Sequence, residues 1–457
     1  MRFHIIGIGG AGMSAVAQLL IAAGHEVTGS DSRSDWPLAQ IAAHAGATVV
    51  GQFDRENVAG ADIVVRSSAY KEHHAEVVAA REAGIPVWRR QDAWAFLARG
   101  KKVVAVAGTH GKTTTTGLVF AALRAGGLDP SVICGGELVD LGSNAYAGAG
   151  EHLVIEADEY DRAFLALAPV VAVVTNVDHD HVDMFPTRED VESAFREFAK
   201  RIVADGRLVS CADDPGSAAL AWWSRRELDA TWTSTYGTDE KADWRITRPV
   251  LEADGTAFEL AGPKGAATTV RSKLLGMHNA RNAAAAIVAA QACDVAEADA
   301  VAGVFTFSGT KRRLETIGTT AGVRVVDDYA HHPAEIRASI EAARALASGR
   351  LIAVFQPHTP SRLAAFLPDF ARALRLADTA IVVETFASAR ETSDEGKGAR
   401  ELARMAGAFY AESNFKAARR VASIARDGDL VLVLGAGDVR EAGQKALALL
   451  AEAAASR

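Results

Sequence analysis

Short apolar runs recur along the chain, each closed by glycine or by a polar cluster, and amphipathic stretches of about ten residues or more separate them. The first, Phe3-His-Ile-Ile, enters Gly7-Ile-Gly9-Gly10-Ala11-Gly12, followed by a helical run over 14–23 and a strand over 26–31. Further strands are predicted at 61–69 and 85–88, with 89–97 leading out. A buried-strand run at 103–107 then meets Gly108-Thr-His-Gly-Lys-Thr and a helix-compatible run over 117–125. Strands follow at 152–156, 170–176 and 207–211, with helical runs between them. Alternation broken by Gly and Pro predicts short antiparallel strands at 243–247, 256–260 and 267–271, before an Ala-rich helix over 283–292. Beyond Lys311-Arg312-Arg313 come strands at 323–327, 351–355, 380–383 and 430–434, and helices near 333–347, 361–376, 398–406 and 439–453.

Strand–helix alternation of this kind predicts parallel sheets with crossover helices. The breaks divide the chain into residues 1–99, 100–310 and 311–457. The expected class is α/β in three domains: a Rossmann-like first domain, a central P-loop ATPase-like parallel-sheet domain, and a Rossmann-like third domain beyond a basic, hinge-like stretch at 311–313. A length of 457 residues agrees with about three domains of ~150 residues.

Composition narrows the partners. With 49% apolar and 23% charged residues the chain is of soluble globular type. A net charge of −8 argues against a nucleic-acid partner, which would need a basic face. Cys134, Cys211 and Cys293 are few, odd in number and widely spaced, as expected in a reducing cytoplasm. The N-terminus is not of signal-peptide type, and no run of ~18 apolar residues would span a membrane. A cytoplasmic protein without a membrane partner is expected, and sequence leaves monomer and homodimer equally open.

The chemistry concentrates at strand ends, where open α/β sheets gather their ligands. Gly108, Thr109, His110, Gly111, Lys112, Thr113 and Thr114 follow a strand and open a helix. Backbone N–H groups and the helix N-terminus would face a phosphate, the lysine would add a point charge, and a hydroxyl would ligate Mg²⁺. Val106 occupies a position where the eight-residue form of this loop has glycine, so a shortened variant is expected.

Gly7-x-Gly9-x-x-Gly12 with Asp31 downstream reads as a dinucleotide-type loop, and Ser67 and Ser68 end a strand beside it. Alone, this segment leaves NAD and another diphosphate open. The neighbouring triphosphate cradle favours the second, because a hydride-transfer enzyme has no obvious use for it. Glu156-Ala-Asp158-Glu159 and Asp178-His179-Asp180-His181-x-Asp183 crowd two more strand ends, and hard cations take such carboxylates with an occasional imidazole. Asn279 and Asn282, three apart near a helix start, would cap the helix or read a base. In the third domain Asp327-Asp328-Tyr-Ala-His331-His332-Pro333, Gln356-Pro-His358 with Arg362, and Gly435-Ala-Gly437-Asp438 sit at strand ends as one face of a site.

These motifs, in this order, resemble those of the Mur ligases over essentially the whole chain, with Gly-Thr-His-Gly-Lys-Thr-Thr and Asp-Asp-Tyr-x-His-His-Pro the most specific. The resemblance implies ATP-driven amide formation. A lactyl carboxylate attacks the γ-phosphate to give an acyl phosphate, and an amine then displaces phosphate. Within the family the closest branch joins L-alanine to UDP-N-acetylmuramate. By resemblance, Lys112 bears on the β/γ-phosphates, Thr113 and Glu156 hold one Mg²⁺, and His181 belongs to a second. Asn279 and Asn282 would face adenine and Asp328 the ribose. Arg312, His332, His358 and Arg362 would arrive from the third domain, and Gly7, Gly9, Gly10, Ala11, Gly12, Asp31, Ser67 and Ser68 would hold uridine diphosphate. Lys112, Glu156, His181, His332 and Arg362 are the expected catalytic set. Several sister ligases carry a carbamylated lysine after the Asp-His motif; Lys200 lies too far along here, as in the alanine-adding branch. Pro360 stands where a bulkier residue is expected before Arg362. The alternatives are a recycling ligase that attaches a tripeptide to the same nucleotide sugar, an NAD-dependent oxidoreductase, and a catalytically silent nucleotide-binding regulator.

Overall fold

A computed structural model describes residues 1–182, 184–228, 232–252, 254–263, 265, 267–386 and 397–455; Asp183 therefore lies outside the described residues. Three sheets, one per domain, carry the fold.

In the first, strands run in the order Thr48–Val50, Glu26–Ser30, Arg2–Ile6, Ile63–Arg66, Val87–Arg89, all parallel. Strand order reverses at Arg2–Ile6, and the glycine loop leaves its carboxyl end at that crevice. The short edge strand Thr48–Val50 and the helices Pro37–His44 and Ala75–Glu82 were not expected, because each is too short to show a period.

Ten strands form the central sheet, with Lys102–Ala107 between Val171–Val174 and His152–Glu156 in parallel register. Val106 pairs with Val173 and Glu156 and is wholly buried, so the position that lacks the motif's glycine belongs to the strand rather than the loop. The sheet is mixed. Trp244–Glu252, Gly255–Ala261 and Ala267–Ser272 add an antiparallel flank, and Ser131–Leu138 with Ser143–Tyr146 makes an antiparallel hairpin at the opposite edge. The helix after the cradle spans Lys112–Ala125, starting five residues before the expected run. Four consecutive threonines delay it in any propensity reading. In the fold all four are buried, and the helix is entered through its N-cap Gly111, whose φ of +79° suits glycine.

The third domain orders its strands Glu315–Thr320, Val323–Asp328, Leu430–Leu434, Leu351–Phe355, Thr379–Val383, Phe409–Ala411, with only the first antiparallel to its neighbour. Pro360 opens the helix Pro360–Leu374, where it lacks only an N–H that a first turn leaves unpaired anyway. No helix among the described residues is long and apolar enough to cross a membrane.

The domains touch directly. Gln18 Nε2 donates to Asn144 Oδ1 (2.9 Å), Ser143 Oγ to Gln18 Oε1 (2.7 Å), and the wholly buried Asn144 to the Ala11 carbonyl (2.7 Å). The central hairpin is thereby fastened to the glycine-loop helix of the first domain.

Candidate active site

Gly108 leaves its strand at φ +136°, and a Cβ there would lie 2.0 Å from Thr175 Oγ1, so the loop can close this tightly only without a side chain. Lys112 curls back over the loop. Its Nζ donates to the carbonyls of Gly108 (2.6 Å) and Thr109 (3.1 Å) and to both oxygens of Glu159 (3.0 and 2.8 Å). Burial opposes the ammonium charge, but Glu159 and Asp158 outweigh it and raise the lysine's pKa. Asp158 is tied to Arg90 Nη2 at 2.7 Å; burial would raise its pKa, yet Arg90 and Lys112 hold it at about 2. His181 Nε2 stands 3.6 Å from Glu159 Oε1.

Thr113 Oγ1 donates to Glu156 Oε1 (3.1 Å), and Glu156 also accepts from the Gly135 N–H (2.6 Å). A Cβ on Gly135 would come within 2.5 Å of the Glu156 carboxylate, so the hairpin's glycines leave this acid its room. A hydroxyl and a carboxylate side by side at a phosphate cradle are the oxygen donors Mg²⁺ takes, and the residues fit that ion. Sequence reading missed Gly135, since it lies in the hairpin that was not foreseen.

A cavity of about 300 Å³ opens beside the cradle between the central and third domains. His110, Gly111, Thr114, Asn279, Asn282 and Asp328 line it, so six of the residues expected at a nucleotide meet there. Asn282 Nδ2 donates to Asn279 Oδ1 (3.0 Å), whose own amide donates to the Leu275 carbonyl, which fixes both amides on one helix face. Both oxygens of Asp328 are engaged, accepting from Leu314 N, Ala330 N and Ser339 Oγ, so it also braces the linker. Arg312 does not line the cavity. It donates to Asp327 Oδ2 (3.2 Å) and the Gly435 carbonyl (2.7 Å), while Arg313 takes the lining position.

Third-domain side chains reach the central domain at two further points. Arg362 Nε and Nη2 grip both oxygens of Asp180 (2.9 and 3.0 Å), with both side chains buried. Burial resists that carboxylate's charge, but His181 and Arg362 hold it well below the usual range. Glu335 Oε1 meets His110 Nδ1 at 3.2 Å. His332 lies against His110 with ring centroids 4.6 Å apart and planes tilted by 33°, and burial with His110 beside it lowers its pKa to about 4. His358 stacks on Phe386 rather than on the cradle. Lys200 ends the helix Arg188–Ala199 and lies over Trp223.

In the first domain the Gly7 and Ile8 N–H groups donate to the Ser30 carbonyl, and Gly9 N to Asp31 Oδ2 (2.9 Å). Gly10 is the N-cap and Ala11 and Gly12 begin the helix Ala11–Ala22. Asp31 therefore shapes the loop with its carboxylate. Ser67 and Ser68 lie at the turn beneath Gly7, and Tyr70, not foreseen, fills the space a Gly7 Cβ would need. Arg90 packs on Gly12, 3.0 Å from where a Cβ would stand, so it spans from this loop to Asp158.

Family models described as Mur ligase family, catalytic domain, Mur ligase middle domain, and Mur ligase, glutamate ligase domain match residues 2–102, 106–290 and 312–437. A UDP-N-acetylmuramate–L-alanine ligase of Paenarthrobacter aurescens (strain TC1) is 42% identical over 443 residues, covering 97% of this chain and 95% of its own. The crystal structure of a UDP-N-acetylmuramate-alanine ligase from Thermotoga maritima superposes with a TM-score of 0.83 at 26% identity over 100% of both chains. A murein peptide ligase from Psychrobacter arcticus reaches 0.74, also at 26% identity, over 99% of both. None of this favours an NAD-dependent oxidoreductase. With three sheets, a phosphate cradle at the middle one and near-full-length likeness, the chain belongs to the Mur ligase family.

Proposed function

We propose that this chain uses ATP to join L-alanine to the lactyl carboxylate of UDP-N-acetylmuramate, a step of peptidoglycan precursor synthesis. The observation that carries the chemistry is Lys112, held over the cradle against Glu159 with the Thr113–Glu156 pair alongside. The near-full-length identity of 42% to a ligase of that name supports the substrate pair.

A carboxylate ~4 Å from a phosphoryl oxygen is repelled by ~1 kcal/mol in water and by ~4 kcal/mol at a protein-like effective dielectric. Counter-charges must stand ready before the reactants meet. Lys112 supplies one at the β/γ-phosphates, and its contacts with loop carbonyls and Glu159 keep it aimed there. Thr113 and Glu156 would hold Mg²⁺, and His181 a second ion. When bound, the metal neutralises phosphate charge. Asn279 and Asn282 face the base, Asp328 the ribose, and Arg313 joins Arg312 at the linker. Arg362 and His332 enter from the third domain. Gly7 to Gly12, Asp31, Ser67 and Ser68 cradle the uridine diphosphate.

Phosphate release decides the reading when UDP-N-acetylmuramate is offered with alanine, glycine, serine or the tripeptide in turn. Stimulation by alanine above the others is expected. Stimulation by the tripeptide alone would transfer the chain to the recycling activity, and no stimulation by any would sink the ligase reading.

A further inference from the structure

Among the described residues, two clusters of metal-capable side chains stand where the central domain meets its neighbours, and their charges are met differently. In Asp158, Glu159 and His181 the carboxylates already have cations: Glu159 has Lys112 on both oxygens and Asp158 has Arg90. In the second cluster, one donor atom from each of His110, Asp178 and His332 lies within 4.8 Å of the other two. Here the Nε2 atoms of both histidines are buried without a hydrogen-bond partner, and His332 is only 4% exposed.

A buried polar nitrogen without a partner has given up its hydrogen bond to water for nothing in return. Two such rings in one cluster with a carboxylate call for a common partner. An anion would satisfy two N–H groups but meet Asp178 with like charge. A cation satisfies all three.

The surroundings prepare the rings for that duty. Glu335 Oε1 at 3.2 Å engages His110 Nδ1 and leaves Nε2 as the unpartnered ring nitrogen, the carboxylate–histidine arrangement that orients metal ligands. His332 Nδ1 accepts from the Ala334 N–H over 3.4 Å, a long contact; a cation at Nε2 takes the tautomer protonated at Nδ1 and gives that contact up. Two imidazoles and one carboxylate suit a borderline-soft ion such as Zn²⁺ better than Mg²⁺, which prefers oxygen.

We propose that His110, Asp178 and His332 form a binding site for a zinc-class divalent cation that bridges the central and third domains, separate from the Mg²⁺ donors Thr113, Glu156 and His181. His110 sits in the cradle loop, Asp178 follows the strand Val171–Val174, and His332 caps the helix Pro333–Arg344. The ion would thus fasten the third domain in its closed position. Neither substrates nor turnover enter the test, so the site and the ligase reading can fail separately.

The full chain, stripped with a chelator and free of nucleotide, is titrated with Co²⁺ as the visible probe. A d–d absorption band saturating at one equivalent and bleached by Zn²⁺ is expected. H332Q and H110Q, checked for folding by circular dichroism, should bind Co²⁺ at least ~10-fold more weakly, with E335Q weakened by ~10-fold through His110. H181Q should keep the band. Zn²⁺ should raise the Tm of the unaltered protein and not that of H332Q. A missing band, one that survives H332Q, one abolished by H181Q, or no Zn²⁺-dependent rise in Tm would overturn the site. Should either histidine variant unfold, D178N carries the same expectation.

Discussion

At the scale of single residues, Lys112 is the side chain on which most depends. It lies on the central domain, while the glycine loop assigned to the sugar nucleotide lies on the first. Lys112→Ala is therefore expected to cut alanine-dependent phosphate release by at least ~100-fold while UDP-N-acetylmuramate still binds, as calorimetry would report. Loss of sugar-nucleotide binding in a folded variant would refute that division of labour. The motif made Lys112 and Thr113 legible because a glycine turn fixes where the next residues point. It pointed to Arg312, whereas Arg313 is the one that lines the cavity. Neighbouring arginines are equivalent in a string of letters, and the choice is made by backbone geometry: Arg312 adopts φ +60° and turns onto Asp327 and Gly435, leaving Arg313 to face the cavity.

At the scale of elements, the strands and helices that flank the ligands were readable because their periods are long and their ends are marked by glycine or polar clusters. What escaped was short or internally contradictory. Glu315–Thr320 and Phe409–Ala411 are edge strands, and the hairpin Ser131–Leu138 carries Cys134-Gly135-Gly136 where a strand usually has branched residues. That hairpin matters to the site through the Gly135 N–H and the empty space beside Glu156. Gly135→Ala is expected to leave the thermal stability of the protein within about 1 kcal/mol yet raise the Mg²⁺ concentration needed for half-maximal phosphate release. An unchanged Mg²⁺ requirement would argue that Glu156 is not a ligand.

At the scale of the whole molecule, the third domain is held by pairs no local pattern announces, since Asp180 and Arg362 are 182 residues apart. Removing one partner of a buried pair leaves a stranded charge at a cost of about 3–5 kcal/mol. Arg362→Ala is thus expected to lower stability by several kcal/mol in calorimetry, and the double exchange Asp180→Leu, Arg362→Met by much less. Equal losses would mean that the pair is not formed. Within the third domain, Arg440 binds Glu315 through both oxygens and Asp327 as well. Burial would raise the Glu315 pKa, but Arg440 and the Arg312 N–H bring it to about 2 from the usual 4.5. A depressed carboxylate pKa gives stability that is present above the ordinary value and lost as pH falls through the folded one. Between pH 4.5 and 2 the unaltered protein should therefore lose about 1–2 kcal/mol more than Glu315→Gln does, measured by urea unfolding, because solvent screens part of the ion pair at this half-buried site.

The fastening of Asn144 to the Ala11 carbonyl, with Gln18 and Ser143 beside it, has a mechanical consequence. A hairpin locked to the glycine-loop helix is expected to make the first two domains move as one body, with the third turning against them once its own ties are released. Scattering or fluorescence changes on ligand binding would then report one rotation with one hinge, near residues 311–313. A tether between the first and second domains should be silent, whereas one across the second and third should stall turnover.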